Sequence, residues 1–254
     1  MQAVLPIAGK SSRMAKSHEG PKQLLPVAGK PLVEHTLAAL PAEVDELIFI
    51  VGGPHEESIR EYFGSRHGGR SITYVRQPEP KGLGHAIQQA RDVVHGRFLT
   101  LVPDDLYAVE DLQKLLAESD LAALAYRRPD PQHFGVFVCD AEGCITRTVE
   151  KPQEFVSDLV SAGVFLLDEE FFRVAVPPSA RGEIELPDII NTLIRTQGRR
   201  FRVVEATFWM AVNDAEQLAR ADTIMRERLQ RASKGMSFLD SFGIRYPMSK
   251  KLKS

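Results

Sequence analysis

Residues 46–53 read Glu46-Leu47-Ile48-Phe49-Ile50-Val51-Gly52-Gly53, an apolar run over 47–51 entered at a glutamate and stopped by two glycines. Such a run, rich in branched and aromatic side chains, describes a buried strand rather than one with a wet face. On either side the period changes. Residues 32–40 and 55–63 read as amphipathic helices, and beyond them lie strand-like runs at 2–8 and 71–76. The rhythm continues through a helix at 83–94, a strand at 97–102, a helix at 109–118 and a strand at 121–126. Strand–helix alternation with short connections implies an α/β fold, a mostly parallel sheet with helices on both faces.

From about residue 127 the pattern turns antiparallel. Residues 134–139 and 144–149 alternate polar and apolar around Gly143, which predicts a hairpin. A strand follows at 162–167, a helix at 185–196 with Leu186, Ile189, Ile190 and Leu193 on one face, and a strand-like stretch at 201–210. Leu218, Ala221, Met225 and Leu229 mark one face of a last helix starting near Asn213. Residues 233–254 mix Ser, Lys, Met and Phe without a period and carry no assignable role. The expected organisation is one domain over 1–232, with parts at 1–126, 127–212 and 213–232, followed by the 233–254 tail.

A formal net charge of −2 over 254 residues argues against a general nucleic-acid or membrane-surface binder. Locally the balance differs, since Lys10, Arg13, Lys16 and Lys22 crowd one loop where a small polyanion would find cations. Two cysteines, Cys139 and Cys144, are too few for a disulfide scaffold, and free thiols are expected. The N-terminus lacks the pattern of a signal peptide, and no apolar run approaches the ~20 residues of a membrane span. A cytoplasmic protein is the expectation.

Ligands of doubly wound sheets sit at the carboxyl ends of the strands. Three polar loops occupy such positions: 9–22, 77–84 and 103–105. The first follows Ala8 and reads Gly9-Lys10-Ser11-Ser12-Arg13-Met14. Small residues let backbone N–H groups approach phosphates, and Arg13 adds a forked cation. The spacing matches neither a Walker loop nor Gly-x-Gly-x-x-Gly, so a nicotinamide-dependent dehydrogenase is a poor fit.

Ala8-Gly9-x-x-x-Arg13-Met14 together with Pro21-Lys22-Gln23-Leu24-Leu25-Pro26-Val27-Ala28-Gly29-Lys30-Pro31-Leu32 resembles the opening signature of the sugar-1-phosphate nucleotidyltransferases. That family has a Rossmann-like fold with a small antiparallel sugar-binding subregion. Ser11 and Ser12 stand where its usual loop has Gly-Thr. Further matches arrive in the family's order. Gln77-Pro78-Glu79-Pro80-Lys81-Gly82-Leu83-Gly84-His85 is similar to the base-recognition segment, which implies that Gln77 and the Gly82 backbone meet a pyrimidine edge; an amide offers the donor and acceptor such an edge needs. Val102-Pro103-Asp104-Asp105 resembles the metal element, with Asp104 the Mg²⁺ ligand, although an aspartate here would equally cap a turn or helix.

His133-Phe134-Gly135-Val136 resembles the sugar-side turn, implying a hexose contact at Gly135. Val149-Glu150-Lys151-Pro152 is similar to the Glu-Lys-Pro element, in which Glu150 takes sugar hydroxyls and Lys151 the sugar phosphate. Ser161-Ala162-Gly163 replaces the usual Asn-x-Gly, which leaves the sugar open. Arg181-Gly182-Glu183 through Asp188 resembles the following Gly-Glu stretch, where Glu183 and Asp188 also suit a helix start. Trp209-Met210-Ala211 lacks the second aspartate of many relatives. Val212-Asn213-Asp214 matches the N-acetylglucosamine-type branch instead, making Asn213 the second metal-ligand candidate; helix N-cap is its competing role.

The resemblance covers residues 1–230 and implies transfer of a nucleotidyl group from an NTP, UTP or dTTP in class, to a sugar 1-phosphate with Mg²⁺. Arg13, Lys22 and Lys151 would neutralise phosphates, Ala8, Gly9, Gln77 and Gly82 would bind nucleotide, and Gly135, Glu150 and Ser161 would bind sugar. At this length the chain is not expected to carry the acetyltransferase domain of bifunctional relatives. Two alternatives stay open, a catalytically impaired regulatory or binding subunit and a transferase for a non-sugar alcohol phosphate. Homo-oligomerisation is also left open.

Overall fold

A computed structural model describes residues 1–8 and 20–233. In chain order the elements are β1 (Gln2–Pro6), β2 (Pro26–Val27), β3 (Lys30–Pro31), α1 (Leu32–Ala39), β4 (Glu46–Val51), α2 (Glu56–Phe63), β5 (Arg66–His67), β6 (Arg70–Arg76), α3 (Leu83–Gln88) and β7 (Phe98–Leu101). There follow β8 (Asp105–Tyr107), α4 (Val109–Ala117), β9 (Leu121–Arg127), β10 (Gly135–Cys139), β11 (Ile145–Glu150), β12 (Leu159–Leu167), α5 (Leu186–Gln197), β13 (Phe201–Glu205), β14 (Trp209–Ala211) and α6 (Ala215–Ser233). No helix among the described residues is long and apolar enough to cross a membrane.

The run 46–51 is the second strand of a parallel set. β1 pairs in parallel with β4 on one side and β7 on the other, and β4 pairs in parallel with β6. Alternation along each strand divides the core. Leu5, Leu47, Phe49 and Val51 belong to one apolar cluster with Val33 and Leu37 of α1, Ile59 and Phe63 of α2, and Leu112 and Leu115 of α4. Val4, Ile48 and Ile50 belong to another with Ala86 and Ile87 of α3 and Ile189, Ile190 and Leu193 of α5. Two covered faces explain why these strands carry no polar alternation.

β12 is the hinge of the topology. It pairs antiparallel with β7 and with β9, while β9 pairs in parallel with β13. At its start it also meets β10, whose antiparallel partner β11 completes the hairpin. Asp140 shapes that hairpin's turn, its carboxylate accepting from the backbone N–H groups of Glu142 and Cys144. Both cysteines are free thiols. Thr148 of β11 is tied to α5 on both sides of its backbone: its N–H donates to Asn191 Oδ1 at 2.8 Å and its carbonyl accepts from Asn191 Nδ2 at 2.9 Å.

Two readings of the sequence are corrected. The stretch 201–210 is not one strand. β13 ends at Glu205, and β14 leaves the main sheet to pair antiparallel with β8. The reason is Asp111, fully buried, whose Oδ2 accepts from Thr207 N, Thr207 Oγ1 and Phe208 N and so bends the chain. The helix expected over 83–94 is α only to Gln88 and continues as a 3-10 turn over Gln89–Asp92.

Where β12 exchanges partners it bulges. Ser161 pairs with Ala125 and Val164 with Leu124, so Ala162 and Gly163 have no opposite number on β9. Gly163 has φ +72°, and a Cβ there would lie 2.6 Å from Val102 Cγ2. Its carbonyl accepts from Val102 N at 3.1 Å. Gly163→Ala should therefore lower stability by about 2–4 kcal/mol, combining left-handed strain with overpacking. A urea unfolding midpoint reduced at unchanged slope is the expected result.

Candidate functional site

The carboxyl ends of β1, β4 and β6 meet closely because Gly52 has no side chain: a Cβ there would lie 2.6 Å from Gln77 O and 3.7 Å from Ala8 Cβ. This brings Ala8 and Gln77 to one edge. Gly9 and Arg13, with Ser11 and Ser12, lie outside the described residues. Gln77 is buried, and its Nε2 contacts His85 Nδ1 at 2.9 Å and Gly82 O at 3.4 Å. Gly82, at φ +98°, and Gly84 are demanded by packing, since a Cβ on either would sit 2.8 Å from Ile184 O. The segment before α5 thus lies against the base-recognition candidate, with Ile184 N donating to Lys81 O at 2.7 Å.

After β7 the chain turns at Pro103-Asp104-Asp105. Thr36 of α1, fully buried, donates its hydroxyl to Pro103 O and Asp105 O at 3.0 and 2.8 Å and holds the turn. Asp104 Oδ2 receives Lys22 Nζ at 2.6 Å, with both side chains about nine-tenths buried. Neither aspartate caps α4, whose cap residue is Ala108. Asp105 does something else. Its Oδ2 accepts from Trp209 Nε1 at 2.9 Å and its Oδ1 from Val212 N at 3.3 Å. Burial, then the charge of Asp104, push its carboxyl up to about 7, against the opposing pull of Lys22 and the two donors.

These contacts deliver Asn213 to the site. The competing role, helix capping, falls to its neighbour: Asp214 Oδ1 accepts from Gln217 N at 2.8 Å, and Gln217 Oε1 accepts from Asn213 N at 2.7 Å. Asn213 lines a cavity of about 630 Å³ together with Val102, Asp105, Gly135, Glu150, Lys151 and Ser161. The acceptor-side candidates therefore share one space with the end of β7. Phe137, Phe165 and Leu186 contribute apolar surface to its lining.

Within that wall, a Cβ on Gly135 would be 3.1 Å from Glu150 Oε2 and 3.9 Å from Ser161 Cβ. Ser161 turns its hydroxyl along its own strand, where Oγ accepts from Gly163 N at 3.2 Å. Lys151 has φ +45°, rare for a residue with a side chain, and its N–H donates to Phe134 O at 3.0 Å. Such strain concentrates at working residues. Lys151 Nζ stands 3.6 Å from Glu150 Oε1, half-exposed.

Four residues escaped the reading of the sequence as parts of this site. Thr36, Asp105 and Trp209 build the frame around the turn after β7, and Arg181 reaches Glu185 at 2.7 Å and Glu150 at 3.5 Å. Asp105 and Arg181 lay inside motifs already singled out, and Trp209, the one tryptophan of the chain, offered a further signal, since a buried indole N–H needs an acceptor; Thr36 offered none. Among the described residues no group of three or more His, Cys, Asp or Glu side chains could hold a metal ion. A divalent ion here would depend on Asp104, an amide such as that of Asn213, and oxygens brought by a ligand. That is the sparse donor set Mg²⁺ accepts when phosphates supply the rest.

The family model described as "Nucleotidyl transferase" matches residues 3–228. A bifunctional protein GlmU of Methanococcus vannielii is 33% identical over 206 residues, 77% of this chain and 48% of that protein. The chain thus spans about half the length of that relative. UTP–glucose-1-phosphate uridylyltransferase AglF of Haloferax volcanii is 32% identical over 218 residues, 82% of this chain and 89% of that protein. Among solved structures, one described as a glucose-1-phosphate thymidylyltransferase from Bacillus anthracis superposes with a TM-score of 0.78 at 26% identity, covering 89% of this chain and 96% of that one. A UDP-glucose pyrophosphorylase, at 21% identity and a TM-score of 0.76, shares the fold. With the match running nearly end to end over the described fold, the chain belongs to the nucleotidyl transferase family.

Proposed function

We propose that the chain transfers a nucleotidyl group from UTP or dTTP to a sugar 1-phosphate of the glucose or N-acetylglucosamine type, yielding an NDP-sugar and pyrophosphate. The observation that carries this reading is the buried Lys22–Asp104 pair at the carboxyl end of β7, in a segment whose flanking residues line the same cavity as Glu150 and Lys151. The relatives named for sugar-1-phosphate chemistry support it.

The chemistry asks little of the protein beyond charge and position. A phosphate monoester has a second pKa of about 6, so the acceptor oxygen is already anionic at neutral pH and needs no general base. That oxygen attacks the α-phosphorus in line, the bond from the α-phosphorus to the bridging oxygen breaks, and pyrophosphate leaves. Lys151 holds the acceptor phosphate and Lys22 the α-phosphate; Arg13, outside the described residues, is assigned the β- and γ-phosphates. Gly135, Glu150 and Ser161 meet the sugar. Asp104 and Asn213 would hold a Mg²⁺, which when bound supplies charge neutralisation to the phosphates.

Asp104→Ala should lower pyrophosphate release by at least about a hundredfold, measured in a coupled assay; turnover near that of the wild type would sink the assignment. Lys151→Ala should reduce kcat/KM for the sugar phosphate about 10- to 100-fold while the nucleotide KM stays near its original value. An equal rise in both KM values would show that Lys151 does not belong to the acceptor end. EDTA should abolish activity, yet millimolar Mg²⁺ without nucleotide should leave the melting temperature unchanged, because the donor set is too thin alone. A clear thermal shift from Mg²⁺ alone would contradict a site completed by the triphosphate.

A further inference from the structure

Gln77 presents an amide, and an amide is ambiguous. One end donates, the other accepts, and a half-turn of the side chain exchanges them. A uracil or thymine ring carries a donor at N3, whereas cytosine carries an acceptor there. An amide oxygen turned toward N3 takes the first two and repels the third. The same amide reversed prefers cytosine. Selection therefore depends on what holds the amide.

Two acceptors hold it here. Gln77 Nε2 donates to His85 Nδ1 at 2.9 Å and lies 3.4 Å from Gly82 O. Among the described residues no donor meets Gln77 Oε1, so the oxygen is the end left for a ligand. The imidazole can play acceptor only while Nδ1 lacks a proton. Burial draws His85 below its ordinary range, and the positive charge of Lys81 acts in the same direction against the smaller effect of Glu79. Gln89 Nε2 approaches the other ring nitrogen at 3.3 Å, but its better contact is with His85 O at 3.0 Å. The shorter bond, from Gln77, makes Nδ1 the accepting nitrogen.

We propose that His85 is a positioning residue for nucleobase selection: by accepting from Gln77 Nε2 it presents Gln77 Oε1 to the N3–H of uracil or thymine and disfavours cytosine. The inference rests on the proposed function, in which Gln77 reads the base. It adds a residue that touches no substrate, and it explains why a histidine stands on α3 one turn from Gly82.

The test compares kcat/KM for UTP, dTTP and CTP at saturating sugar phosphate. The wild type should prefer UTP or dTTP over CTP by at least about a hundredfold. His85→Phe keeps a ring without an acceptor and should cut that preference about tenfold or more, with the sugar-phosphate KM unchanged. His85→Asn places an amide oxygen near the position of Nδ1 and should restore most of it. ¹⁵N shifts of the wild-type imidazole, which need no variant to fold, should show Nδ1 unprotonated and Nε2 protonated. A preference untouched in His85→Phe, an equal loss in His85→Asn, or a proton on Nδ1 would overturn the role of His85. A wild type that uses CTP as well as UTP would instead refute the base reading in the proposed function.

Discussion

A buried carboxylate must find donors or give up its charge, and Asp105 is held to that rule here. Its neighbour Asp104 faces Lys22; Asp105 faces inward and takes the indole of Trp209 and the backbone N–H of Val212. Those two bonds fasten β14 and the start of α6, elements more than a hundred residues away in sequence, to the turn after β7. Together with the β8–β14 pairing, which sets Ala211 opposite Asp105, they bring Asn213 to the cavity that Val102 and Asp105 also line. Two adjacent aspartates thus divide the labour of one turn, one meeting the cation and the other assembling the frame around it.

The parts of the molecule that could be read in advance are those whose physics is local. Leu47 through Val51 announce a strand covered on both faces, and the hairpin around Gly143 carries its own alternation and turn. Of the residues that motif order singled out, Lys22 and Asp104 pair at the carboxyl end of β7, and Gly135, Glu150 and Lys151 line one cavity. What could not be read depends on partners distant in the chain. Asp111 breaks the 201–210 stretch through Thr207 and Phe208, and no local pattern near either end predicts the break. β8 was missed for a like reason: three residues become a strand only because β14 arrives to pair with them.

A hydrogen bond at the start of α6 assigns its cap. Asn213 and Asp214 are both good caps by type, and only geometry shows that Asp214 takes the exposed N–H of α6. In the cavity wall, Ser161 Oγ accepts from Gly163 N, and a side chain on Gly135 would crowd Glu150. Gly135 and Ser161 line the same cavity as Phe137 and Phe165.

Gly82 and Gly84 have no space for a side chain because Ile184 and its neighbours press on them. The segment that leads into α5 is therefore a shared wall, packed on Gly82 and Gly84 and running on into Leu186 and Pro187, which line the cavity with Glu150 and Lys151. Anyone recombining this chain with a relative, to exchange one acceptor half for another, would meet that wall first. A crossover drawn at the boundary near residue 127 separates the two glycines from the segment that was shaped to them. The transplant would inherit a foreign contour at its most crowded contact, and only donors that approach as closely over two matching glycines would seat without shifting α3.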